Sequence, residues 1–261
     1  MANASEFLLT DATGQRIANA LELLSITNGK AAVGAGLHNS LFRGKSLGTS
    51  LTAAQSAAIV AGTFDDMYVG DYWTINGRVY RIAGFDLYLH TGDTEMTKHH
   101  VVIVPDKNMY SAQMNETNIT TGGYYNSVMK QSNLAQALTT IEGDFGAAHI
   151  LTCRKLLTNA VNGSNVSGWA WYDSKIDLMT ERQVYGSAAW GQGNLNGYNA
   201  NMQYSRFPLF TLAPEFITTR SWYWLQDVTG SPSFANVSGT GNAGTGSASN
   251  FGGVRPAFLI A

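Results

Sequence analysis

The spacing of hydrophobic and polar positions changes several times along this chain, and each change marks an element. Ile17, Ala20, Leu21 and Leu24 recur at i, i+3, i+4 and i+7 after cap residues at Asp11 or Thr13. That period predicts a helix ending at Asn28-Gly29. Thr52-Ala53-Ala54-Gln55 has capping-box spacing and predicts a second helix reaching about Ala61. Residues 31–50 between them are glycine-rich and poor in charge. The pattern then turns to strands. Residues 71–75 and 78–85 are aromatic and β-branched around Asn76-Gly77, the strongest short hairpin signal. Residues 99–105 predict another strand. Leu134, Ala137, Leu138, Ile141 and Phe145 return to helical spacing and predict a helix over about 126–145. A strand is expected at 150–157 and a short helix at 174–183, opened by a Ser-x-x-Asp cap. Residues 186–204 form a Gly/Asn/Tyr insert, and 207–212 are apolar. Few helices, short strands and irregular connections define an α+β domain rather than a βαβ repeat.

The sharpest change of pattern lies in the last forty residues. An aromatic strand at 222–225 gives way to residues 230–253, almost entirely Gly, Ser, Thr, Asn and Ala. A second apolar strand follows Val254-Arg255-Pro256. Flexible linkers join domains, whereas this stretch is held between two core strands. It reads as a surface displayed on a rigid scaffold, with a mobile Gly/Ser loop as the alternative. Strand periodicity puts Trp222 and Trp224 on one face and Tyr223 on the other.

Composition narrows the classes. The 261 residues are 44% hydrophobic and 11% aromatic, enough for a substantial core. Only 13% are charged, about half the usual share, and the net charge is −2 without a Lys/Arg run. Binding to nucleic acid through phosphate neutralisation is not expected. The single cysteine, Cys153, sits in an apolar context and reads as a buried structural thiol. The first residues lack the basic and apolar regions of a secretion signal, and no stretch approaches the roughly 18 apolar residues of a membrane span. A chain made in the cytoplasm and not inserted in a membrane is expected. Residues 1–62 are too sparsely apolar for a core of their own, so a helical attachment and oligomerisation region is expected there, with 63–261 as the main domain. The alternative is an N-terminal decoration folded onto its own domain.

Catalytic signals are weak. Asp86, His90, Asp93, Glu95, His99 and His100 cluster in sequence without metal-ligand spacing, and a satisfied polar loop is the expectation. The carboxylate pairs Asp65/Asp66, Glu142/Asp144 and Asp173/Asp177 are expected to serve caps and solvated faces rather than glycoside hydrolysis. No nucleophile elbow, P-loop or dinucleotide fingerprint occurs; Gly191-Gln192-Gly193 precedes no helix signal. Among the aromatics, Trp190, Tyr198 and Tyr204 of the insert are better placed for exposure than Trp169 or Trp171.

Trp222-Tyr223-Trp224-Leu225, Asp227-Val228, Phe234, Val237 and the closing Gly253-Val254-Arg255-Pro256 carry a resemblance. They resemble the variable region of proteins diversified by retroelements, a family founded on the phage major tropism determinant and including gut-phage fibre proteins. The resemblance covers roughly residues 64–261, is strongest at the C-terminus, and sets the variable region at about 222–256. It implies a C-type-lectin-like fold of the formylglycine-generating-enzyme subtype. It also implies rewriting of adenines by an error-prone reverse transcriptase, which turns Asn codons into Ser, Thr, Gly, Ala, Asp, Tyr or Phe. The soft segment has that composition. The oxidase chemistry of the formylglycine-generating relatives needs two cysteines, and this chain has one. The signatures of calcium-dependent sugar binding, Glu-Pro-Asn or Gln-Pro-Asp with Trp-Asn-Asp, are also missing.

On that basis Gly230, Ser231, Ser233, Asn236, Ser238, Thr240, Asn242, Gly244, Thr245, Gly246, Asn250, Phe251 and Gly252 are expected as the exposed ligand-binding surface. Trp222, Trp224, Phe234, Val237 and Arg255 are expected as scaffold, together with buried Ala243, Ala248, Val254 and Phe258. Arg255 should hydrogen-bond backbone carbonyls or a carboxylate. The resemblance implies a non-enzymatic phage receptor-binding or tail-fibre protein, located in the virion and assembled in the host cytoplasm; no cofactor or metal is expected, and the amphipathic helix and low-charge tract of residues 1–60 predict a homo-oligomer, a homotrimer. Its partners would be a bacterial host surface receptor, protein or glycan, and other virion proteins through the N-terminal region. Small residues make such a surface shallow, so affinity would come from several copies acting together. The alternatives are a structural head or tail decoration protein and a bacterial ligand-binding module of the same fold.

Overall fold

The computed structural model describes residues 34–191 and 205–261. The helix expected over residues 17–24, together with Tyr198 and Tyr204, lies outside them. The fold is α+β, mostly sheet with few helices. A six-stranded sheet runs in the order β1 (Ser46–Gly48), β2 (Tyr72–Ile75), β3 (Arg78–Phe85), β4 (Val101–Pro105), β13 (Pro256–Ile260), β8 (Ile176–Leu178). A five-stranded sheet runs in the order β11 (Ala243–Ser247), β10 (Ser233–Val237), β9 (Tyr223–Gly230), β12 (Gly252–Val254), β5 (Tyr110–Ala112). A two-stranded ribbon of β6 (Cys153–Asn162) and β7 (Asn165–Ser174) adds Leu157, Val161 and Val166 to the same core.

The Asn76-Gly77 hairpin forms as its sequence dictates. Both residues have positive φ, 49° and 77°, which matches the twist of the flanking strands β2 (Tyr72–Ile75) and β3 (Arg78–Phe85). β4 (Val101–Pro105) pairs with β3 and with the last strand, β13 (Pro256–Ile260), which also pairs with β8 (Ile176–Leu178). Every residue of β4 and of β13 is buried, so the C-terminal strand runs through the middle of the core sheet.

The described part of the N-terminal region belongs to this same unit. After α1 (Ala35–His38), strand β1 (Ser46–Gly48) pairs parallel with β2 and forms the edge of the six-stranded sheet. The helix α2 (Ala53–Ala61) starts at the expected capping box: Thr52 Oγ1 accepts from Gln55 N at 3.2 Å, and Gln55 Oε1 accepts from Thr52 N at 3.0 Å. Ala58 and Ile59 of α2 enter the core. Arg43 donates to Asp71 and Asp66, and Asn39 exchanges hydrogen bonds with the backbone of Phe85. Gly62 therefore closes a helix, and the described residues before it, 34–61, share sheet and core with those after it.

Downstream, one long helix expected over 126–145 is an α-helix, α3 (Leu134–Phe145), entered through a π-helical turn at Met129–Asn133. The strand expected at 150–157 starts later and is longer. It is β6 (Cys153–Asn162), paired with β7 (Asn165–Ser174). The helix expected over 174–183 is a correction. Ile176 and Leu178 are drawn into the sheet beside β13, and the helix, α4 (Glu181–Tyr185), waits for a better cap. Thr180 and Gln183 supply it as a second capping box, with bonds of 3.0 and 2.8 Å. The apolar 207–212 stretch becomes α5 (Pro208–Leu212), with proline at its first turn. Among the described residues no helix is long and apolar enough to cross a membrane.

Candidate recognition surface

Residues 223–254 make most of the five-stranded sheet. β9 (Tyr223–Gly230), β10 (Ser233–Val237) and β11 (Ala243–Ser247) form a meander, and β12 (Gly252–Val254) lies between β9 and β5 (Tyr110–Ala112). The soft segment is thus ordered as strands and tight turns. Ser231, Thr240, Asn242, Thr245, Asn250 and Phe251 are exposed; Gly230, Ser233, Ser238, Gly244 and Gly246 are half-buried. Phe251, 68% exposed, is the largest apolar side chain the segment offers to solvent. Beneath lie Phe234, Ala235, Val237, Ala248 and Val254, all buried.

Three placements differ from expectation. Asn236 is buried, because its amide lies over the two glycines of the paired strand. A Cβ at Gly244 would sit 2.7 Å from Asn236 Oδ1, and one at Gly246 would sit 3.0 Å from Asn236 Nδ2. Gly252 is buried, because the indole rings of Trp222 and Trp224 cover it; a Cβ there would sit 2.7 Å from Trp224 Nε1. Ala243 is half-buried, at the outer edge of the sheet where nothing pairs beyond β11 among the described residues. The two tryptophan rings meet edge to face at 4.8 Å, and Trp224 Nε1 donates to Ala112 O at 3.0 Å, so both lie on one face of β9.

Polar groups lock the turns. Thr120 Oγ1 is within 3.0 Å of Gly230 O and 2.7 Å of Ser231 O, and Asn118 Oδ1 accepts from Ser249 N and Oγ. The hydroxyl of Ser238 accepts from Asn242 N and lies 2.9 Å from Thr240 Oγ1. Beside β11 stands Trp190, 56% exposed, with Nε1 donating to Ala243 O at 3.3 Å. Its loop is held by the buried carboxylate of Glu181, which accepts from the backbone N–H groups of Ala189, Trp190 and Gly191. Asp227 accepts from Glu181 N at 2.7 Å. Burial, and next the charge of Glu181, push the Asp227 carboxyl up to about 7.

Most of the other candidate side chains are engaged in ion pairs and hydrogen bonds, at the surface and inside the fold. Asp86 holds His99 Nδ1 at 2.7 Å and the backbone N of His100 at 2.8 Å; Asp93 pairs with Arg154. His100 accepts from Tyr88 N at Nε2 and faces Lys98 O at Nδ1, the bonding of a neutral ring, and burial lowers its pKa accordingly. Asp66 pairs with Arg43 and Lys45, Glu142 with Lys175, and Asp144 with Arg78. Asp177 is buried between Lys130 at 2.7 Å and Lys155 at 3.4 Å. Among the described residues no three His, Cys, Asp or Glu side chains converge as a metal site.

A groove of about 390 Å³ adjoins the segment, between the free edge of β5 and the start of α3, with Phe251 at its rim. Its lining residues Gln113, Glu116, Ser132 and Gln136 carry no local sequence signal, because only the pairing of β12 with β5 brings them beside residue 251. No family model, no curated protein and no solved structure matches this chain.

Proposed function

We propose that this chain is a non-enzymatic receptor-binding protein of a phage virion, with a retroelement-diversified ligand surface on a C-type-lectin-like domain of the formylglycine-generating-enzyme subtype. One observation carries the reading. Exposed Thr240, Asn242, Thr245 and Asn250 hang on strands and turns whose opposite side is continuous with the core. Their side-chain hydrogen bonds stay within residues 222–256, such as Thr229 Oγ1 to Thr245 Oγ1 at 2.6 Å between β9 and β11. Side chains there can change without disturbing what folds the domain, the physical requirement of a diversified surface. The resemblance at Trp222-Tyr223-Trp224-Leu225 and Gly253-Val254-Arg255-Pro256 supplies the phage context. Oligomerisation, as a trimer, would multiply a shallow contact.

The test combines Thr240→Tyr, Asn242→Tyr and Thr245→Tyr. Thermal stability should stay close to wild type, since surface changes cost within about 0.5 kcal/mol each. Adsorption of virions carrying the variant to host cells should change sharply. Unchanged adsorption sinks the proposal, as does a gene neighbourhood without a reverse transcriptase and a near-copy of the 3′ end.

A further inference from the structure

We infer that the groove between β5 and α3 is a binding site for a neutral saccharide, with Phe251 as its stacking platform. The inference rests on the recognition role proposed above and names its ligand class. Ser111, Gln113, Glu116, Ser132 and Gln136 line this one groove. The side chains of these residues are not engaged by the hydrogen bonds that fix the neighbouring backbone. Asn133 Nδ2, for example, takes Gln113 O and leaves the Gln113 amide free. Hydroxyls and carboxamides both donate and accept, as the vicinal hydroxyls of a sugar do. Phe251 adds one exposed aromatic face, suited to the apolar C–H face of a pyranose. The volume of about 390 Å³ lies at the low end of the roughly 300–1,000 Å³ of small-molecule sites. Glu116 is the only charged side chain of the lining, so an anionic ligand meets repulsion and no cation. A neutral sugar unit, free or at the end of a surface glycan, fits size, charge and bonding together.

The full-length protein should be titrated by calorimetry with maltotriose, triacetylchitotriose and mannotriose as neutral probes and 3′-sialyllactose as the anionic one. At least one neutral probe should bind, and Phe251→Ala and Gln136→Ala should each weaken it about tenfold, while Asn162→Ala, at an exposed position outside the groove, leaves it unchanged. Circular dichroism of each variant checks folding. Glu116→Gln should let the sialylated probe bind. The idea is overturned if no neutral probe binds at about 10 mM, or if binding survives both Phe251→Ala and Gln136→Ala. Host-cell adsorption read in parallel separates the two proposals. Adsorption lost in the tyrosine triple variant without any saccharide binding sinks only the groove; saccharide binding with unchanged adsorption sinks only the receptor-binding role.

Discussion

Arg255 and Tyr223 meet inside the protein: Arg255 Nη1 donates to the Tyr223 hydroxyl at 3.1 Å, and both donate to Ile217 O, at 3.2 and 2.8 Å. Arg255 Nε also donates to Pro105 O at 2.8 Å. Residue 255 is where the chain leaves β12 in one sheet and enters β13 in the other, so one fully buried guanidinium ties both sheets together. Among the described residues no carboxylate pairs with it. The rings of Tyr223 and Phe210 lie 5.1 and 5.6 Å from its guanidinium carbon and offer their faces instead.

Arg255→Ala should therefore destabilise the domain by about 3–5 kcal/mol, through the cavity and the lost donors together. Arg255→Met fills most of the volume and should cost less. Urea denaturation of both variants checks this; equal losses would mean that the hydrogen bonds carry the whole effect.

Gly252→Ala should cost about 1–3 kcal/mol, because a Cβ at 252 has no room beneath Trp222 and Trp224. Exposed Asn250→Ala, two residues away, should stay within about 0.5 kcal/mol. Thermal melts of the pair test the inside-outside assignment directly. A harmless alanine at 252 would place the tryptophans elsewhere.

The contrast at Gly252 shows what the sequence could and could not reveal. Local signals were legible. Asn76-Gly77, the Thr52 capping box, the 134–145 spacing and the apolar 256–260 run each act through neighbours in the chain. Buried Phe234, Val237 and Arg255 were expected from the resemblance; alternation alone could not place both 234 and 237 inward, and β10 is buried on both faces. Whether a glycine or asparagine faces water is decided by a partner strand or a ring lying over it. Trp222 and Trp224 cover Gly252, and Asn236 covers Gly244, so small polar residues that read as surface are not all surface. The helix misread over 174–183 has a similar cause. Ser-x-x-Asp was a plausible cap, but Ile176 and Leu178 gain more by pairing with β13, and Thr180-x-x-Gln183 caps the helix later. The groove beside Phe251 was invisible because it joins residues more than a hundred positions apart.

Asp227 should give stability an unusual pH dependence. Burial and then Glu181 raise its carboxyl to about 7 from an ordinary value near 4, whereas Arg182 acts in the opposite direction. Between those values the folded state holds a proton that the unfolded chain has released, so stability falls as pH rises and levels off above about 7. Asp227→Asn keeps an acceptor for Glu181 N and removes the titration. The melting temperature of the variant relative to wild type should rise from pH 4 to 7.5; a constant difference would show that Asp227 ionises normally.

Cys153 should be inert in the native state. It is buried, and burial first, followed by the nearby charges of Asp177 and Asp173, pushes the thiol up to about 11 despite Lys155. Only the thiolate reacts, so at pH 8 about one thiol in a thousand is available even before access is considered. Iodoacetamide should label the protein only after urea unfolding. Cys153→Ala should cost about 1–2 kcal/mol through lost packing. Rapid labelling under native conditions would contradict the burial.

Asp177 makes the opposite pH prediction from Asp227. Burial alone would raise its carboxyl, but Lys130 and Lys155 outweigh it and hold the group below the ordinary carboxylate value. Stability from this group is thus present above about pH 4 and lost as pH falls through the lower, folded-state value. The pairing ties the π-helical turn at Met129–Asn133 and β6 to β8, and Lys130 Nζ also donates to Ile176 O at 2.9 Å. Asp177→Asn keeps the shape but leaves two buried ammonium groups without a counter-charge, which should cost about 3–5 kcal/mol at pH 7. Below about pH 4 the unfolded chain takes up a proton at this carboxyl before the folded protein does, so the gap between the two proteins should narrow. Urea denaturation at pH 7 and pH 3 measures both gaps. A gap that stays equal at the two pH values would assign the loss to packing rather than to the charge of Asp177.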